Sequence, residues 1–152
     1  MPDASQDRVA RGVLVLCGLA FLAVGIAFLV TPVSMAAHVG ITLDAVSSKS
    51  DLRAVYGGLD AGLGLFFLAC AGRRSWVAPG LFAAMLCFVG LVAGRITSLT
   101  LDGAPGALVF LLFGSELLGA VGSAWGLFSL RPHRKDDEEP AGEGPALLDA
   151  LK

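Results

Sequence analysis

Four long apolar runs set the terms for this chain. Val9–Val30 is broken only by Arg11, and comparable runs follow near residues 50–71, 76–98 and 105–130. At about 1.5 Å of rise per residue, each can cross a hydrocarbon core about 30 Å thick. Lipid offers no partner to a backbone N–H or C=O, so segments of this kind must be helical. The expected fold is all-α, an integral membrane four-helix up-down bundle over residues 9–130. Residues 1–8 read as a frayed polar N-terminus. Residues 131–152 carry Arg131, Arg134, Lys135 and the acidic run 136–139, then a Pro/Gly/Ala stretch, and read as a disordered cytoplasmic tail.

Composition agrees. The chain of 152 residues is 55% hydrophobic and only 16% charged, against about a quarter charged in soluble domains. Its net charge of -2 predicts no nucleic-acid partner. Cys17, Cys70 and Cys87 are an odd set in three separate runs, which argues against a disulfide framework or a structural zinc site. They read as buried, inert thiols. No metal and no cofactor is expected.

The first run exceeds the usual signal-peptide core of about 7–15 residues, so a span is expected rather than cleavage after the Ser34-Met35-Ala36 stretch. Thr31-Pro32 ends it. The uncharged stretch 33–41, with His38, is too short to span and reads as an interfacial segment. Ser47, Ser48 and Ser50 are N-cap candidates for the second helix, and Asp102-Gly103 marks the turn before the fourth.

Small residues recur at helical spacing. Ala54, Gly58 and Gly62 form one expected packing seam, with Gly57 and Gly64 beside it; Gly90 and Gly94 form a second, and Ser115, Gly119 and Ser123 a third. Gly18 and Gly25 share a face of the first helix.

Basic residues orient the bundle. Arg8, Arg11, Arg73, Arg74, Arg131, Arg134 and Lys135 flank one side, seven against Lys49, Arg53 and Arg95 on the other, with the distal Lys152 left out. The positive-inside rule then puts both termini in the cytoplasm of an inner membrane.

The same threading gathers the charges. Arg53 enters near the outer face, Asp60 lies about 10 Å deeper, and Arg95 falls in the outer half. Glu116 sits roughly 17 Å along the fourth helix, near mid-bilayer. Ionisable groups at such depth are costly and usually pair or mark a site. Arg53, Tyr56, Asp60, Arg95 and Glu116 are therefore expected to line one polar pocket. The bland alternative has the arginines snorkelling to headgroups and Glu116 acting as structural glue.

The run Arg53-Ala54-x-Tyr56-Gly57-Gly58, with Gly62, Gly64, Gly94-Arg95, Asp102-Gly103-x-Pro105 and Glu116, resembles a bacterial family of small four-helix membrane proteins catalogued as a domain of unknown function. That family is loosely similar to the DoxX/DoxD-like membrane proteins. The resemblance covers roughly residues 10–130. It implies the four-helix fold and marks Arg53, Tyr56, Gly57, Gly58, Arg95 and Glu116 as a signature. It implies no established activity. Quinone or thiosulfate chemistry follows only by fold analogy, and no cofactor ligands are visible in its support.

Three functional readings follow. The first is binding or transport of a small polar or amphipathic molecule, or of protons, at the charged pocket. The second is an accessory subunit of a larger membrane complex, or a homo-oligomer, docked through glycine seams. The third is a small membrane enzyme acting on a lipid-like substrate. With no nucleophile–base pair or metal set in view, it is the weakest of the three.

Overall fold

In the computed structural model, which describes residues 4–42, 45–104 and 106–130, every regular element is helical. Helix α1 (Ala4–Val30) is followed by the short α2 (Pro32–His38). Next come α3 (Val46–Leu52), a π-helical segment (Arg53–Leu59) and α4 (Asp60–Gly72), joined end to end as one rod, Val46–Gly72. A 3-10 turn (Arg74–Trp76) leads to α5 (Val77–Leu101), and α6 (Ala107–Ser129) closes the described chain. Four of these helical stretches are long and apolar enough to cross a membrane, the pattern of a multi-pass membrane protein.

The helix limits depart from expectation at both ends. Helix α1 begins at Ala4, inside the stretch expected to fray, and Asp7 there pairs with Arg11 one turn on at 3.0 Å. The rod begins at Val46, ahead of the serines, and Ala45 occupies its cap position. The tail from residue 131, and the disorder expected of it, lie outside the described residues.

Helices α1 and α4 approach most closely, and small residues are the reason. A Cβ on Gly64 would sit 2.6 Å from the Leu22 backbone nitrogen and 2.7 Å from the Gly18 oxygen. One on Gly25 would meet the Ala61 Cα and the Gly57 oxygen at 2.8 Å, and one on Gly57 would strike Leu29. The seam is thus Gly18–Gly25 against Gly57–Ala61–Gly64. Ala54, Gly58 and Gly62 lie instead on the exposed side of the rod, and a Cβ at Gly62 would meet nothing within 4 Å. The small residues of this stretch lie on more than one face, and the face that packs is one register step from the one expected.

Two arginines lock this antiparallel pair at its ends. Arg11, near the start of α1, donates through Nη1 to the Ala71 carbonyl at the end of α4, at 3.1 Å. Arg53 donates through Nε to the Leu29 carbonyl at the end of α1, at 3.2 Å. Each cation thereby caps the carbonyl-rich C-terminus of the other helix, where the macrodipole favours positive charge.

The larger of two apolar cores lies at one end of the bundle. At the near end, which holds the start of α1 and the α4–α5 turn, Leu14, Phe67, Cys70, Val77, Leu81 and Ala84 form a dry core shared by α1, α4 and α5, against which Leu127 of α6 packs. Helix α6 fits there because Gly126 meets Leu81, and because Gly119 accepts the ring of Phe88. Phe21 contacts Phe67 and Phe88 at centroid distances of 5.6 and 5.5 Å, closing the core from above. At the far end, Phe28, Ala36 and Leu52 join only α1, α2 and α3. Many large apolar side chains are exposed, Leu118 at 74% and Leu16 at 71% among them.

Gly64→Leu should lower the stability of the detergent-solubilised protein by at least about 1–3 kcal/mol, the range for overpacking. Gly62→Leu should change it by no more than about 0.5 kcal/mol. Thermal unfolding of the two variants side by side checks the seam.

Candidate functional site

The ion pair that joins two helices lies at the far end. Arg95 lies in the last two turns of α5, and Glu116 in the first half of α6. Antiparallel packing sets them opposite one another. Arg95 Nε donates to Glu116 Oε2 at 2.5 Å and Nη2 donates to Oε1 at 2.6 Å, a bidentate fork. Glu116 is 7% exposed and is the only charged residue in the buried set among the described residues. Both its oxygens are engaged, while Arg95 Nη1 has no partner among the described residues.

A cavity of about 360 Å³ opens beside this pair. Gly90 and Gly94 form its floor on α5, and neither would meet any atom within 4 Å if given a Cβ. They were expected as a packing seam; the structure places them along empty space. Leu91, Leu99, Val109, Phe110 and Phe113 form apolar walls. Tyr56, Arg95 and Ser98 supply the polar groups.

Tyr56 reaches the cavity from the π-helical segment. Its ring lies 5.2 Å from that of Phe28 on α1, and its hydroxyl makes no hydrogen bond among the described residues. The Ser98 hydroxyl donates to Asp102 at 3.0 Å, leaving its oxygen able to accept. The cavity thus offers two donor groups, the Arg95 guanidinium and the Tyr56 hydroxyl, beside the Ser98 oxygen as an acceptor.

The expected five residues divide. Tyr56 and Arg95 line the cavity, and Glu116 stands behind Arg95. Arg53 does not join them, because its guanidinium is turned to α1. Asp60 is half-buried near Cys87, outside the cavity lining, and makes no hydrogen bond or ion pair among the described residues. The π-helical segment explains the division. Three- and four-residue spacing puts Arg53, Tyr56 and Asp60 on one face of an α-helix, but the wider π turn redistributes them. No spacing pattern in the sequence signals that turn. Among the small residues, Gly119 is packed under Phe88. Ser115 is exposed and bonds the Leu112 carbonyl of its own helix at 2.7 Å.

The pair of reciprocal arginine caps was not anticipated. Ser123, the third member of the expected α6 seam, is fully buried, and its hydroxyl neighbours the Cys17 thiol. Among the described residues no group of His, Cys, Asp and Glu is placed to hold a metal ion.

Arg53→Gln should remove the α1 cap and lower the unfolding midpoint by an amount equivalent to about 0.3–1 kcal/mol. It should leave the cavity and its occupancy unaltered. Paired unfolding and ligand-retention measurements on that variant check the separation of Arg53 from the site.

A family model described as a domain of unknown function (DUF4345) matches residues 9–127. Among curated proteins and among solved structures, nothing matches the chain.

Proposed function

We propose a binding role for this chain, which belongs to the family of the DUF4345 domain of unknown function: its far-end cleft takes up a small amphipathic molecule. One observation carries the reading. A bidentate, nearly buried Arg95–Glu116 pair borders an open cavity of about 360 Å³ with mainly apolar walls and a few convergent polar groups. Ligand pockets share that make-up, and about 300–1,000 Å³ is their usual size.

Binding is favoured over passage. The cavity does not continue into the near half, where Phe21, Phe67 and Phe88 close over a dry core. A transport path would have to part that packing.

In this reading the protein sits in a bacterial inner membrane with both termini cytoplasmic. The asymmetry of seven basic residues against three supports the orientation. The far end and its cleft then face the outer half of the bilayer. The link to DoxX/DoxD-like proteins is a loose likeness of the family as a whole, and no redox step is built on it.

Gly94→Leu tests the reading directly. The substitution points into empty space, so the fold should persist while the side chain fills the cleft. Native mass spectrometry from nanodiscs should show a small-molecule or lipid adduct on the wild type and its loss from Gly94→Leu. Equal retention by both proteins would remove the cleft from consideration as a binding site.

A further inference from the structure

We infer that the cleft selects an uncharged, lipid-like molecule whose head carries hydrogen-bond-accepting oxygens, such as an ester, a carbonyl or a hydroxyl. The inference rests on the binding role above and specifies its ligand class.

Charge is the first constraint on the head. Arg95 would by itself invite an anion. Here its charge is already neutralised by Glu116, which grips it through both oxygens. An incoming carboxylate or phosphate would meet an arginine whose charge Glu116, just behind it, already balances, and would lose its own hydration in an apolar cavity. That desolvation, with no net charge to offset it, opposes an anion. A cationic head fares no better. It would meet the Arg95 guanidinium, and no carboxylate lines the cavity to receive it.

Hydrogen bonding then specifies what the head must offer. Arg95 Nη1 and the Tyr56 hydroxyl are electrostatic neighbours that make no hydrogen bond of their own among the described residues, so both keep an N–H or O–H to donate. Neutral acceptor oxygens satisfy both at the least desolvation cost.

Size and walls define the rest of the ligand. At about 360 Å³ the cavity is at the small end of ligand pockets, about 300–1,000 Å³, and has room for only part of a lipid-like molecule. That is a head and the first part of a tail. Leu91, Phe110 and Phe113 line the remainder, and Leu91 and Phe110 are also part of the exposed apolar surface. A longer tail can therefore leave sideways into lipid.

The experiment uses the full chain in nanodiscs doped in turn with three single-chain amphiphiles of one tail length. These are monolauroylglycerol, laurate and dodecyltrimethylammonium, and native mass spectrometry reads the bound fraction. The neutral glyceride should be retained roughly tenfold better than either charged amphiphile, the worth of one well-placed hydrogen bond to a charged donor. In Glu116→Gln, Arg95 is left with an unneutralised charge, and the order should reverse in favour of laurate. The wild-type ranking decides by itself if that variant does not fold. Laurate binding as well as or better than the glyceride in the wild type would overturn the inference while leaving the binding role intact. Retention of none of the three would overturn both.

Discussion

A charge pair closed on itself in an apolar setting organises the far end of this protein. Arg95 and Glu116 are each expensive to bury alone, and the cost falls only when the two meet in good geometry. Two parallel N–H···O bonds supply that geometry. The pair ties α5 to α6 in the half of the bundle where no shared apolar core joins them to the other helices. It also leaves the neighbouring cavity formally neutral.

The contrast between the two ends follows from residue size. Near the α4–α5 turn, Gly64, Gly80, Gly119 and Gly126 let backbones and large side chains interlock, and four helices share one core. Beyond Phe21 the arrangement changes. Helix α1 keeps hold of the rod through Gly25 and Gly57, while Gly90 and Gly94 of α5 face nothing. The π-helical segment stays with α1 and turns Tyr56 outward, so the two helix pairs enclose a cleft. Reciprocal caps by Arg11 and Arg53 hold α1 and the rod together at both ends. One helix pair is thus a fixed wall, and the other is joined to itself by an ion pair.

Much of the architecture was legible because lipid leaves few choices. Long apolar runs must be helices in such a setting, and their number matches the four helical stretches long and apolar enough to cross a membrane. Arg95 and Glu116 could be placed in one half of the bundle by threading alone, since depth follows from 1.5 Å per residue. What a fixed helical period could not give was the local geometry of residues 53–59. There the chain adopts a π turn, so Arg53 and Tyr56 point to different neighbours and Asp60 falls outside the cavity. The glycine seams show the same limit. Small-residue spacing marks every face that could pack closely, but only the partner decides which one does. Gly57 and Gly64 found α1, whereas Gly62, Gly90 and Gly94 did not. Arg11 and Arg53 were legible as charges, but their acceptors are carbonyls, which carry no signature in a sequence.

The central claim is that Arg95 and Glu116 act as one unit. A double-mutant cycle in lipid nanodiscs, with Arg95→Met, Glu116→Met and both together, tests it most directly. Each single change should cost about 3–5 kcal/mol by stranding a buried charge, and the double change should cost far less than their sum. Additive losses would contradict the account, because the two residues would then be contributing separately.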